Sequence, residues 1–411
     1  MKRISLLFAF VAIPAAVLAN PGAPRVSNLA VAQPSQGEAR VTFDLDEDAV
    51  VTAEFVADGA AVPAEFVQTL SGDVNRKVAA GSGHSFTWKA HKDWPDHTVA
   101  SFSVKVTAWA PLAPPDYMAV DLRADAETPR IRYYACSNAV PGGVADRRYK
   151  SDFLLMRRIP AAMVRHRQGS PVGTTIRTDN ETAHYCTLSV DYYMGVYEFT
   201  EAQYSLVGGS RYATPSFVTG DDSPYYPLSG VFWKNNIRGN VGVAAAPDSS
   251  SILGKLRTRS GIVTFDLPTD AQWEYACRAG TSSSLPDGTE AAYNGSGLAN
   301  LKAMAWIGGA SPNADGHPHE VGLKAPNAWG LYDMLGNIRE WCLDGDAAYA
   351  NDADVADPVL SGSFIIRGGC WYDGPFNCRP AYRRDSGGGW QNANIQSFVG
   401  FRPMCAIPAE R

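Results

Sequence analysis

The sequence predicts an α+β protein, an all-β sandwich followed by a larger, loop-rich α+β domain. Three observations predict it. Residues 20 to about 125 alternate apolar and polar side chains in short runs. Two capping boxes of the same form, Thr200-x-x-Gln203 and Thr269-x-x-Gln272, mark helix starts further on. From Thr281 to the end, glycine recurs every few residues and helical periodicity is absent.

The chain has 411 residues, enough for two domains, and its 45% apolar content is ordinary for globular protein. The first nineteen residues, MKRISLLFAFVAIPAAVLA, carry a charged start (Lys2-Arg3), an apolar run (Ile4–Val17) and a small-residue cleavage pattern before Asn20. They read as a secretory signal peptide, so export to a periplasmic, secreted or cell-surface location is expected. The run is too short for a membrane span, and none is expected in the mature chain. Its removal takes Lys2 and Arg3 away and moves the net charge from −6 to −8. A mildly acidic chain with no Lys/Arg cluster excludes nucleic acid as the expected partner. Seven cysteines are present, an odd number, and export permits disulfides. No CxxC occurs, which excludes a zinc ribbon.

Strands are expected at Ala39–Leu45, Val50–Val56 and Ala100–Ala108, separated by turns at Gln36-Gly37, Asp58-Gly59, Ser71-Gly72 and Gly81-Ser82-Gly83. About seven short strands in a hundred residues predict a sandwich over residues 20–125, like a fibronectin type III module. The histidines of His91–His97 lie in a proline-bearing loop and do not make a metal site. Residues 110–150 are rich in Pro, Ala, Gly and Arg without periodicity, and 126–150 reads as a linker. The second domain, 151–411, opens with the strand pattern Phe153–Met163. A strand then runs into the helix capped by Thr200 and ended at Gly208-Gly209. A second helix over about Ser250–Arg259 stops at Gly261. The third, Asp270–Arg278, has Trp273, Tyr275 and Ala276 on more than one face and is expected to be buried.

Three segments carry a resemblance: LPTDAQWEYACRAGT (Leu267–Thr281), NAWGLYDMLGNIREW (Asn327–Trp341) and IRGGCWYDGPFNCRP…VGFRP (Ile366–Pro403). In this order they resemble the formylglycine-generating-enzyme, or sulfatase-modifying-factor, domain family over about residues 151–411. The resemblance implies a compact, loop-rich C-type-lectin-like fold. It does not settle function, because the family mixes oxidases with binding domains.

The loop Asp333–Glu340 has two carboxylates seven apart around a glycine and an asparagine, a composition that suits a hard cation. The resemblance implies calcium held by the side chains of Asp333 and Glu340 and the carbonyls of Gly336 and Ile338. The alternative is a hydrogen-bonded turn with Glu340 paired to an arginine such as Arg367. In the oxidases of the family, two cysteines in the loop after the Gly-Gly turn bind copper(I). Here Cys378 stands nine residues after Gly369, at the second of these positions, whereas the first holds Asp373. Cys370 would have to supply the missing thiolate, and an Asp/Cys pair is a poor ligand set for a soft ion. Cys370 and Cys378 are therefore the catalytic candidates only if the chain is an oxidase. Alternatively, Cys378 forms a disulfide with Cys342. His317 and His319 give no facial triad, and no GxSxG, P-loop or HExxH motif is present.

The rest of the C-terminal stretch combines large aromatics with adaptable polar groups, as paratope-like surfaces do. One group is Trp371, Tyr372, Asp373, Phe376 and Asn377. The other is Asp385, Ser386, Trp390, Gln391, Asn392, Asn394 and Gln396. They are the candidate ligand-binding residues, against the alternative of an ordinary solvated loop. Variable proteins that diversify this same stretch use the same kind of domain. The leading expectation is a protein or glycan binder that lacks a full copper site. The other is an oxidase converting a sulfatase cysteine to formylglycine.

Overall fold

The structure, a computed structural model, describes residues 9–10, 23–95, 97–124, 130–170, 177–178, 180–209, 223–292, 294–350, 352–385 and 398–407. Apart from Ala9 and Phe10, the expected leader lies outside them. The described residues divide into two compact units, one within Met1–Ala119 and Glu127–Asp146, the other within Val120–Ala126 and Arg147–Ala409.

The first unit is built from two sheets, antiparallel apart from a short parallel pairing of Ala9–Phe10 with Ser101 and Phe102. Strands β1 (Val26–Ala32), β2 (Ala39–Leu45) and β5 (Gly81–Trp88) form one. Strands β3 (Ala49–Ala57), β4 (Arg76–Val78) and β6 (Ser101–Trp109) form the other. In β2, Ala39, Val41, Phe43 and Leu45 are buried and the residues between them are not, as strict alternation requires. The sheets share one core in which the Phe55 ring meets Phe86 edge-on at 6.4 Å and Trp88 at 4.7 Å. Two strands form within the Pro-, Ala-, Gly- and Arg-rich stretch 110–150. Tyr117–Asp121 is a strand with all five residues buried, and Ile131–Tyr134 is another, whose Tyr133 N–H donates to Asn75 O at 2.9 Å. Neither strand has enough alternation to be read from sequence.

In the second unit, β7 (Phe153–Ile159) pairs antiparallel with β10 (Tyr192–Gly195). The last strand, β17 (Met404–Ala406), lies between β10 and β11 (Phe265–Asp266), so the chain's end closes this sheet. A second sheet places β12 (Arg339–Gly345) between β14 (Phe364–Arg367), antiparallel, and β16 (Val399–Gly400), parallel, with β15 (Arg384–Asp385) beyond β14. A third joins β8 (Val164–Gln168), β9 (His184–Leu188) and β13 (Asp354–Ala356).

Helices α1 (Glu201–Leu206) and α3 (Asp270–Arg278) each start in a complete capping box. Helix α2 (Ile252–Ser260) ends at Gly261 with φ +76°. All of α3 except Gln272 is buried. A fourth helix, α4 (Gly295–Met304), was not expected: its GSGLANLKAM sequence buries only Leu298 and Leu301, too few anchors to show a period.

Candidate functional site

Both ends of the Ile366–Pro403 stretch are fixed by buried arginines. Arg367 donates from Nε to Asp270 Oδ1 and from Nη2 to Glu274 Oε2 at 3.0 Å, tying β14 to α3. Burial alone would raise Glu274, but Arg278 and Arg367 hold its carboxyl down at about 2. Arg402 binds Glu340 through Nε and Nη2 (Nη2 to Oε1, 2.8 Å) and donates to the Gly195 and Tyr332 carbonyls at 2.8 and 2.7 Å. The alternative of Glu340 paired to an arginine is met by Arg402 and not by Arg367. Arg367 is its cross-strand partner, but Glu340 turns to Arg402 and to Trp273 Nε1 at 2.7 Å. The Gly368-Gly369 turn has φ +87° and +70°, and a Cβ on Gly369 would lie 2.5 Å from Cys378 Sγ. Only glycine meets both demands.

The Asp333–Glu340 loop sits against this frame. Asp333 Oδ2 accepts the Gly322 N–H at 2.6 Å, while Oδ1 is buried without a partner. Burial pushes the Asp333 carboxyl up to about 6 despite the Gly322 N–H and Arg402. Glu198, fully buried, accepts from Asn337 Nδ2 at 2.7 Å and the Ile338 N–H at 3.1 Å. Burial, then the neighbouring Asp333 and Glu340, raise its carboxyl well above the ordinary range. Among the described residues no three His, Cys, Asp or Glu side chains group so as to hold a metal. A site of one carboxylate and loop carbonyls is of a different kind. The orphaned Asp333 Oδ1 fits a hard cation, whereas both Glu340 oxygens are already engaged by Arg402 and Trp273.

The copper position is different. Asp373 is not a surface ligand-binding residue, as the sequence led us to expect. Its carboxylate is buried and takes two bonds from Arg339, at 2.8 Å to Nε and 2.6 Å to Nη2. It also accepts the Cys370 N–H at 3.1 Å and the Cys370 thiol at 3.3 Å. All seven cysteines are free thiols, so the expected Cys342–Cys378 disulfide is absent. Cys378 packs on Gly369 instead. Burial and then Asp373 push the Cys370 thiol up to about 12; burial, Asp373 and Cys370 push Cys378 well above its ordinary value. Copper(I) selects soft thiolates, and one of the two positions that the resemblance implies holds instead a carboxylate already paired with Arg339.

Outward from this clasp, Trp371 and Phe398 stack at 5.1 Å, and the Tyr372 ring stands edge-on to both at 5.9 and 5.7 Å. Tyr372 is 66% exposed, while Trp371, Phe376 and Asn377 are half-buried. Of Asp385 only the backbone is described, and Ser386, Trp390, Gln391, Asn392, Asn394 and Gln396 lie outside the described residues. His319 stacks on Trp306 at 3.7 Å and is occupied structurally.

Residues 156–407 match the sulfatase-modifying factor enzyme 1-like domain. The chain belongs to this family. The chain is 26% identical over 235 residues to a chaperone protein, LppX, of Paenibacillus barcinonensis, covering 50% of this chain and 70% of that one. It is 26% identical over 243 residues to the formylglycine-generating enzyme of Mus musculus, covering 50% and 63%. Among solved structures it is similar to Treponema denticola variable protein 1, with TM-score 0.47 and 24% identity over 62% of this chain and 95% of that one. PvdO from Pseudomonas aeruginosa is also similar, with TM-score 0.44, 23% identity and coverage of 62% and 94%.

Sequence reasoning brought Cys370, Asp373 and Cys378 together correctly as neighbours but missed Arg339 and Glu198. Arg339 was visible only as one charge of an Arg-Glu pair in NIREW, and Glu198 only as an acid inside the apolar run YYMGVYEF. Alternation on β12 could have shown that Arg339 and Glu340 face opposite ways, each needing its own buried partner.

Proposed function

We propose that this chain is an exported binding protein that takes a protein or glycan ligand on the C-terminal face of its sulfatase-modifying-factor domain. In this reading the domain is a C-type-lectin-like variant and the first unit is a fibronectin III-like spacer. The observation that supports it is the buried Arg339–Asp373 pair, at the position where the resemblance implies a copper ligand and with the Arg339 guanidinium 5.8 Å from the ring centre of Phe398 in the Trp371–Tyr372–Phe398 cluster. An ion pair there removes the metal ligand and fixes the loop backbone that carries the aromatics. Rigid aromatic anchors beside polar residues favour binding at low entropic cost. The sequence candidates Asp385, Ser386, Trp390, Gln391, Asn392, Asn394 and Gln396 belong to the same proposed ligand-binding set. No helix of the described residues is long and apolar enough to cross a membrane.

A calcium ion would be held by Asp333 Oδ1 with the Gly336 and Ile338 carbonyls, and Glu340 would close the loop from behind through Arg402. Calcium would supply charge for the buried acids Asp333 and Glu198 and rigidity for the loop under the binding face.

The second reading is a formylglycine-generating oxidase acting on sulfatase cysteines, with Cys378 and Cys370 on copper(I). Its support is the 26% identity to an enzyme of that name. Incubating the purified protein with copper(I), oxygen and a Cys-x-Pro-x-Arg peptide decides between them. The binding reading expects the peptide mass unchanged; conversion of its cysteine to formylglycine overturns that reading.

A further inference from the structure

The first unit holds a pocket of about 280 Å³, formed by β3, the loop 61–70, Asn75 and the segment 134–141. It lies where one edge of β3 loses its neighbours. On that edge β4 pairs with β3 only as far as Val51, and the hairpin strand Ala60–Ala61 pairs only from Val56 onward. At the two ends of the gap, Val51 O accepts the Asn75 N–H at 2.6 Å and Phe55 O accepts the Val62 N–H at 2.8 Å. In an antiparallel ladder, residues two apart turn their backbone N–H and C=O to the same edge. Ala53, midway between them, therefore presents both groups to the gap, where among the described residues no strand pairs with it. The chain that would continue the ladder leaves it at Pro63, whose φ of −57° leads into the 3-10 turn Ala64–Phe66.

The walls of the pocket are apolar, with Phe55, Val56, Val62, Val67, Leu70 and Tyr134 among them. Among the described lining residues Glu54 is the sole carboxylate, it is paired with Lys105 Nζ at 3.0 Å, and no lysine, arginine or histidine takes part. Such a pocket has nothing to neutralise a charged guest. Its volume is roughly twice the 150 Å³ that accommodates benzene, which suits one medium-sized apolar group and a short polar frame. The frame that matches Ala53 is an N–H and a C=O flanking one carbon, the pattern by which a strand residue answers its cross-strand partner. The gap from Val51 to Phe55 spans about 13 Å, enough for one such unit and too short for a further strand.

We propose that the first unit binds a small, uncharged, N-acylated α-amino-acid derivative with an apolar side group. Its N–H donates to the Ala53 C=O, its own C=O accepts the Ala53 N–H, and its side group fills the apolar pocket. This site stands apart from the C-terminal face and adds a ligand to the unit read above as a spacer.

The test uses the full chain and a reporter that the protein supplies. Cys136 lines the pocket and is exposed, whereas the other six thiols are buried. A thiol reagent added to the native protein should therefore modify Cys136 first, as mass mapping will show. N-acetyl-L-leucinamide should slow that modification saturably. The analogue with an ester oxygen in place of the leucine N–H cannot donate to Ala53 and should bind about tenfold more weakly. N-acetyl-L-leucine, whose carboxylate finds no cation, should give no protection. Ala64→Trp fills the pocket from its wall and should abolish the effect of N-acetyl-L-leucinamide without lowering the melting temperature. Should that variant fail to fold, the probe comparison on the unsubstituted chain still decides. Absence of protection by N-acetyl-L-leucinamide, equal affinity for amide and ester, or protection that persists in folded Ala64→Trp overturns the proposal.

Discussion

Replacing Asp373 with alanine tests the buried clasp beside the Trp371–Tyr372–Phe398 cluster. The Asp373 and Arg339 side chains are 5% and 6% exposed, and two charge-assisted bonds join them. Removing the carboxylate leaves a buried guanidinium without its partner and strips the Cys370 N–H and thiol of their acceptor. Such single deletions cost about 3–5 kcal/mol, whereas replacing both partners by apolar residues of similar volume is often neutral or stabilising. Asp373→Ala should therefore destabilise the second unit by about 3–5 kcal/mol, and Arg339→Met with Asp373→Leu should recover most of it. Urea unfolding of each variant followed by tryptophan fluorescence reads both numbers. A loss below about 1 kcal/mol for the single variant, the value for a solvated pair, would refute the buried clasp. A double variant no better than the single would refute the assignment of the loss to the stranded charge.

Three further outcomes are expected. Burial and the charge of Asp270 push the Asp344 carboxyl up from its ordinary 3.8 to about 7. Its folded form thus holds a proton more tightly than its unfolded form, and the stability this contributes is complete below pH 3.8 and lost as pH rises through about 7. Asp344→Asn should flatten the pH dependence of the melting temperature across that window, and an unchanged slope would contradict the assignment. Thr269→Ala removes the side-chain acceptor for the Gln272 N–H at the start of α3. It should cost about 1 kcal/mol in denaturant unfolding, far less than Asp373→Ala. Calcium at a hundredfold excess over its dissociation constant should stabilise the second unit by about 3 kcal/mol. Asp333→Asn should abolish most of that gain, and equal calcium stabilisation in both proteins would count against the Asp333 site.

Local signals were the most legible part of the sequence. The Thr200 and Thr269 capping boxes, the Gly261 stop and the β2 alternation appear where expected because each depends on residues within four positions. Helix α4 and the strands Tyr117–Asp121 and Ile131–Tyr134 were hidden because their burial is set by distant packing and not by their own pattern. At the site, position counting identified Asp373 as the departure from a two-thiolate set. It could not reveal that Arg339, thirty-four positions earlier, takes the carboxylate inward. The same limit applies to Glu340, whose carboxylate chose Arg402, sixty-two residues away, over its ladder partner Arg367. Buried ion pairs are long-range decisions, and spacing along the chain does not encode them.

The proposed binding function requires that no copper(I) site forms beside the Arg339–Asp373 clasp. A titration of the reduced, full-length protein with copper(I) against a competing chromophoric chelator tests it most directly. The clasp predicts that the chelator keeps the copper, and that Cys378→Ser leaves the curve unchanged. One tightly bound equivalent that disappears on Cys378→Ser would contradict it.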